Sequence, residues 1–148
     1  MIHFTRGDIF AQPAEAIVNP VNCVGVMGRG LALQFKHRYP DAFLAYRHAC
    51  AEGRVRPGRM FTFDTGCDGP RWIVHFPTKR HWRDRSAIGD IEAGLRDLAA
   101  IVARHGLPSI AIPPIGCGRA ACSCSTPVAT SPGGSSTFPP SVTGATAA

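Results

Sequence analysis

Three short segments carry side chains and glycines whose types and spacing could do chemistry. The first is Asn19-Pro20-Val21-Asn22, two carboxamides that run into Gly25-Val26-Met27-Gly28-Arg29-Gly30. Glycines let a backbone approach a phosphate, and the N–H groups at a helix start form an anion site. The glycine spacing is not that of the dinucleotide fingerprint. Alone, the glycines read as an ordinary strand–turn–helix connection; with the paired asparagines a ligand loop is favoured. The second segment is His75-Phe76-Pro77-Thr78-Lys79-Arg80-His81-Trp82-Arg83. Clustered charge usually means a solvated turn. A lysine at a ligand edge can instead donate to an oxyanion, protonate a leaving group or attack as an amine. His81, Trp82 and Arg83 would add stacking and phosphate contacts to a nucleic acid. The third segment is Ile115-Gly116-Cys117-Gly118-Arg119-Ala120-Ala121. It satisfies a loose Gly-x-Gly-x-x-Ala pattern, but no acidic residue follows it, so the dinucleotide reading fails. A second phosphate-facing loop remains.

These segments need elements to position them. Ile2–Thr5 reads as a first strand closed by Arg6-Gly7-Asp8, and Ala16–Asn19 as a buried strand that stops at Pro20. The Gly25–Gly30 turn leads into a helix with Leu31, Phe35 and Arg38 on successive turns. Asp41 is expected to cap a second helix, which Gly53 ends. Met60–Phe63 and Trp72–Phe76 read as strands around a Gly-rich turn at 66–69. After Ser86, the apolar residues Ile88, Ile91, Leu95, Leu98 and Val102 are spaced 3, 4, 3 and 4, one helical face. Gly106 and Pro108 terminate that helix, and Ser109–Ile112 follows as a buried strand. Strands alternate with helices, so the expectation is an α/β layered domain. Ligands in such sheets sit outside the carboxyl ends of the strands, where the three segments fall.

The chain has 148 residues, a size for one ordinary domain, and a net charge of +6 that suits a phosphate-rich partner. A large two-domain enzyme, a collagen-like chain and a coiled coil are excluded by length and composition. No apolar run is long enough to span a membrane, and the first six residues do not read as a secretory signal. The six cysteines read as buried or free thiols of a cytoplasmic chain. A zinc site from Cys117, Cys122 and Cys124 is disfavoured by irregular spacing and the lack of a following histidine.

Taken together, the segments resemble the macro domain family, and within it the DarG-type DNA ADP-ribosyl glycohydrolases, antitoxins of a toxin that ADP-ribosylates thymidine in DNA. The resemblance rests on Thr5–Ile9, on Val18–Asn22 with Gly25–Lys36, on Phe76–Arg83 and on Ser109–Gly118. It implies a three-layer α/β/α fold around a mixed sheet, with ADP-ribose as ligand and no metal or cofactor. It further implies that Asp8, with Ile9, holds the adenine, that Asn19 and Asn22 lie near the distal ribose, and that Val21 and Met27 also bind ADP-ribose. Gly28, Arg29, Gly30 and Leu31 would follow the phosphates and that ribose, and Gly116, Cys117 and Gly118 would begin the second phosphate loop. Thr78 and Lys79 would flank the scissile carbon, with Lys79 the catalytic residue. Arg80, His81, Trp82 and Arg83 would contact DNA. The implied reaction is hydrolysis of the bond between ADP-ribose and thymine in single-stranded DNA, with the cognate toxin as a further partner. A binding module that does not cleave, or an inactive remnant, is the alternative.

Residue 119 marks a break. Arg119 is the last charged residue, and the thirty residues from there hold 6 Ala, 6 Ser, 5 Thr, 4 Pro and 3 Gly. The macro-domain resemblance covers 1–118 and stops inside the second phosphate loop. The expectation is therefore a domain at 1–118 without its C-terminal helix and last strand, and a low-complexity, disordered tail at 119–148. The tail's composition resembles a GC-rich reading frame shifted near codon 119, with a flexible linker as the alternative. A chain without that strand is expected to fold poorly and bind ADP-ribose weakly.

Overall fold

Runs of β-branched and aromatic residues bounded by Gly, Pro and Asp make the strands of this chain, and alanine- and leucine-rich stretches make its helices. The computed structural model describes residues 1–116 and the backbone of 126–130. In chain order the elements are β1 (Ile2–Thr5), a short 3-10 helix (Ile9–Ala11), β2 (Ala16–Asn22), α1 (Gly30–Arg38) and α2 (Pro40–Ala51). They continue with β3 (Phe61–Asp64), β4 (Trp72–Lys79), α3 (Ile88–His105), β5 (Ser109–Ala111) and β6 (Thr126–Thr130). The six strands form one mixed sheet in the order β1-β6-β5-β2-β4-β3. β2 runs parallel to both β4 and β5, while β3 and β6 run antiparallel to their neighbours.

The sheet is buried on both faces, which is why its central strands read as continuous apolar runs. On one face Ala16, Val18, Val74, Phe76 and Ile110 pack against Leu98 and Ile101 of α3. On the other, Ile17, Ile73 and Ala111 meet Phe35 and Ala42, and Val21 meets Tyr46 and Ala49. The architecture is the expected α/β/α sandwich. Among the described residues no helix is long and apolar enough to cross a membrane.

Four local readings change. β2 does not stop at Pro20 but continues to Asn22, and β4 passes through Pro77 to Lys79. β5 pairs with β2 only at Ala16 and Ile17, and β3 pairs with β4 no further than His75. Beyond those points each strand keeps one ladder, and a residue without an N–H is tolerated. Asp41 is not the cap of α2: Tyr39 holds that position, Pro40 opens the helix, and Asp41 sits in the first turn, where its charge complements the dipole. The stripe that α3 buries is Gly94, Leu98 and Ile101, with Ile91 and Val102 packed at its flanks. Ile88 and Leu95, expected on that face, are 76% and 45% exposed. Gly94 explains the rotation. A Cβ built there would lie 2.5 Å from the Phe76 ring, so the helix is centred on the residue that lets it approach the sheet.

The fourth concerns the tail. Thr126–Thr130, inside the stretch expected to lack structure, is a strand that fills the slot between β1 and β5. Thr-Pro-Val-Ala-Thr carries strand formers, and the backbone groups of β1 and β5 offer two ladders for it.

Candidate functional site

β1, β2, β4 and β5 all end at the same edge of the sheet, and the segments that follow them meet there. β2 and β4 are fastened to each other at that edge. A register shift opposite Val21 and Asn22 brings Asn22 level with Lys79. The Thr78 hydroxyl donates to the Val21 carbonyl at 3.3 Å, the Cys23 N–H donates to the Arg80 carbonyl at 3.1 Å, and the Cys23 thiol reaches the Lys79 carbonyl at 3.5 Å. The loop that follows β2 and the loop that carries Lys79 therefore move as one piece.

Asn22 organises the first of those loops. Its Oδ1 accepts the N–H groups of Val24 and Val26 at 3.0 and 3.3 Å, and its Nδ2 donates to the Val26 carbonyl at 2.7 Å. The Tyr46 hydroxyl, fully buried on α2, lies 2.8 Å from the Asn22 carbonyl and 3.1 Å from Oδ1. Gly25 follows at φ 78°, where a Cβ would stand 3.1 Å from the Arg47 side chain. Only glycine fits that close approach in the left-handed region. The loop then delivers Arg29, extended and making no side-chain cap, and Gly30 at the first turn of α1. The N–H groups of that turn have no intrahelical partners and carry the positive end of the helix dipole.

Asn19 is wholly buried. Its Nδ2 contacts Met27 Sδ at 3.8 Å and His75 Nδ1 at 3.3 Å. His75 lies between the rings of Tyr46 and Phe61, with centroids at 5.0 and 5.8 Å. Burial pushes its pKa down to about 3, so the ring is neutral. Asn19 Oδ1 and His75 Nε2 have no hydrogen-bond partner among the described residues. Val21, Met27 and Ile9 spend their side chains in the core, so at these three positions only backbone faces the edge. Leu31 is half-buried against the Phe35 cluster.

Lys79, half-exposed at the end of β4, is in no ion pair among the described residues. The acidic side chains of the following segment are engaged. Asp84 accepts the His81 N–H at 3.0 Å, and Asp90 pairs with Arg80 at 3.3 Å. Beyond Lys79, the Trp82 ring stands 48% exposed, with the Arg83 guanidinium 4.5 Å over its face and the His81 ring 5.2 Å away. A stacked aromatic and cation of this kind offers a surface for a base. At the other end of the edge, the exposed Asp8 accepts the Phe10 N–H at 3.0 Å. Arg38, itself 4.3 Å over the Phe10 ring, holds it at 3.5 Å. Gly116 follows β5 at φ 80°. Cys117 and Gly118, expected to continue that loop, lie outside the described residues.

Cys23 and Cys50, the cysteines near the site among the described residues, are quiet. Burial, with Cys50 close by, pushes Cys23 up to about 11, and burial raises Cys50 as well. Both are thiols at neutral pH and poor nucleophiles. Sequence reasoning misses Tyr46 and gives no role to His75, although His75 opens the second segment. Tyr46 falls inside the second helix expected after Asp41, yet a buried tyrosine hydroxyl needs a partner, and that requirement is the signal.

Comparison with known proteins places this geometry. Residues 18–129 match the Macro domain family. A DNA ADP-ribosyl glycohydrolase of Mycobacterium tuberculosis (strain ATCC 25618 / H37Rv) is 52% identical over 120 residues, 80% of this chain and 34% of that protein. The chain thus spans about a third of the length of the curated relatives it matches. The solved macrodomain of Thermus aquaticus DarG superposes with a TM-score of 0.75 at 47% identity, covering 79% of this chain and 78% of that one. Thermosipho africanus DarTG in complex with ADP-ribose superposes with a TM-score of 0.71 at 34% identity, covering 76% and 32%.

Proposed function

Because the chain belongs to the macro domain family, we propose that it holds ADP-ribose along this sheet edge and hydrolyses the bond joining it to thymine in single-stranded DNA. The observation that carries the reading is Lys79: a half-exposed lysine without an ion pair among the described residues, fastened through Cys23 to the glycine loop. The similarity to proteins named DNA ADP-ribosyl glycohydrolase supports the choice of substrate.

In this reading the first-turn N–H groups of α1, with Gly28 to Leu31, receive the pyrophosphate, and Gly116 opens the loop that closes on it from the β5 side. The exposed Asp8 carboxylate accepts from the adenine amine, an acceptor set against a donor. Binding energy from the nucleotide then orients the sugar for reaction, with its anomeric carbon near Thr78 and Lys79. Glycoside cleavage develops positive charge at that carbon and negative charge on the departing base. An ammonium at Lys79 stabilises or protonates the leaving base, or as an amine it captures the carbon before water does. The Thr78 hydroxyl is committed to Val21 as donor and has only acceptor capacity to offer. Arg80, His81, Trp82 and Arg83 grip the strand next to the modified base. The cognate DNA-modifying toxin is the partner this reading implies, consistent with a relative named as a DNA ADP-ribosyl transferase–glycohydrolase fusion.

The test is release of ADP-ribose from a single-stranded oligonucleotide carrying one ADP-ribosylated thymidine. Lys79→Ala is expected to lower the rate by at least a hundredfold while ADP-ribose affinity, read by calorimetry, changes less than about threefold. Release that persists in Lys79→Ala would sink the assignment. Binding without release by the unaltered protein would make the domain a reader of ADP-ribose.

A further inference from the structure

Away from the edge, a groove of about 430 Å³ runs between α3 and the turn that enters β3. Arg59, Met60 and Thr62 line one wall, and Asp97, Ile101 and Arg104 line the other. The turn is pressed onto the helix. Gly58 has φ 76°, and a Cβ there would stand 3.0 Å from that of Ala93. The Met60 N–H donates to Asp97 Oδ2 at 2.8 Å, which occupies one oxygen of the only carboxylate in the lining. The arginines are not so occupied. Arg54 pairs with Glu52, but Arg56, Arg59 and Arg104, all exposed, are in no ion pair among the described residues. The groove is therefore net positive, and its floor, Met60 and Ile101, is buried and apolar.

Its direction matters. The N-terminal turn of α3 carries Asp90, which holds Arg80 of the loop beyond Lys79. Ala93 lies about one turn further along the helix, Asp97 about one more, and Arg104 about two more. α3 thus spans roughly 20 Å from Asp90, beside the basic loop, to Arg104, and the groove lies along its second half, from Asp97 to Arg104. No aromatic side chain lines it, so it offers nothing for a base to stack on.

We infer that this groove is a phosphate track, which carries the backbone of a nucleic-acid strand away from the Lys79 site without reading its sequence. The inference rests on the proposed nucleic-acid substrate and adds the path the strand takes. Guanidinium groups suit the task because they meet phosphate oxygens through paired N–H donors. The Arg59 and Arg104 side chains are exposed and in no ion pair among the described residues, so replacing them is expected to leave the fold intact.

The experiment titrates an unmodified, fluorescent single-stranded 15-mer with the full chain across 50–200 mM salt, so its outcome does not depend on whether the protein hydrolyses anything. Removing two phosphate contacts in Arg59→Gln/Arg104→Gln is expected to lower the slope of log K against log salt by about 1.4. That corresponds to about a tenfold loss of affinity at 0.2 M salt and more at lower salt. Asp97→Asn, which removes the opposing charge and keeps an acceptor for Met60, is expected to tighten binding. Arg71→Gln, at an arginine paired with Asp64 beyond the groove, serves as the comparison and should leave the slope nearly unchanged. An unchanged slope in the double variant, or an equal fall in Arg71→Gln, would overturn the track. If the track holds but no ADP-ribose is released from modified DNA, it is the proposed reaction that fails.

Discussion

Lowering the pH from 7.5 to 5 is expected to cost the domain about 2 kcal/mol through His75 alone. The ring is sealed between Tyr46 and Phe61, and burial holds its pKa near 3, against 6.5 for an unburied histidine. Below pH 6.5 the unfolded chain takes up a proton that the folded one refuses. Each further unit of acidity then costs about 1.4 kcal/mol, a loss that runs from 6.5 down to about 3. The folded pKa is depressed, so this stability is fully present above 6.5 and disappears on the acid side. Urea unfolding at pH 7.5, 6.0 and 5.0, for the natural chain and for His75→Phe, separates this from every other titration. His75→Phe keeps a ring in the stack but leaves Asn19 Nδ2 short of an acceptor. It should therefore start about 1–3 kcal/mol less stable at pH 7.5 and lose about 2 kcal/mol less on the way to pH 5. Parallel pH dependences in the two proteins would show that His75 is not the buried proton acceptor the packing makes it.

Two further substitutions test the supports of the site. Tyr46→Phe removes the buried hydroxyl that lies 2.8 Å from the Asn22 carbonyl and 3.1 Å from its Oδ1, and is expected to cost about 1 to 2 kcal/mol in denaturation. If that energy holds the glycine loop in place, ADP-ribose affinity measured by calorimetry should fall by about fivefold, and an unchanged affinity would mean the loop does not depend on Tyr46. Gly94→Ala should lower stability by about 1–2 kcal/mol, since overpacking against Phe76 outweighs the gain in helix propensity. Gly89→Ala, on the same helix with open space around it, should instead raise stability by up to about 1 kcal/mol. Thermal melts of the pair with the same sign would refute the close packing at Gly94.

Much of the layering is legible because it depends on local pattern. The termination of α3 at Gly106 follows from a residue that reaches φ 58° at no cost, and the alternation of strands and helices dictates the sandwich. What the pattern missed depends on neighbours distant in sequence. Pro20 and Pro77 look like strand ends until one sees that each lies where its strand has already lost one ladder partner. Ile88 and Leu95 share the spacing of Leu98, and nothing local says that the approach of Gly94 to Phe76 sets which face goes inward. Lys79, Thr78 and the Trp82 platform were legible from residue type at a strand end. The basic groove was not: Arg59 and Arg104 lie 45 positions apart in sequence, and their elements are brought together by the packing of Gly58 on Ala93 and the Met60–Asp97 hydrogen bond.

Asn22 shows how the edge divides its work. A carboxamide has two lone pairs and two N–H donors. Its oxygen already meets Val24 and Val26, with Tyr46 competing for the same lone pairs, and one N–H is given to the Val26 carbonyl. At most one N–H remains for a ligand. Asn19, buried against Met27 and His75, offers less. The paired asparagines that first suggest ligand contact thus act chiefly as scaffolding, and under the proposed function the groups left to hold a nucleotide are the backbone N–H groups of the loop they shape. That arrangement suits an anionic ligand. Backbone N–H groups fixed by a buried side chain cost little to organise around an anion, and in the proposed reaction they leave Lys79 as the charge at the reacting end.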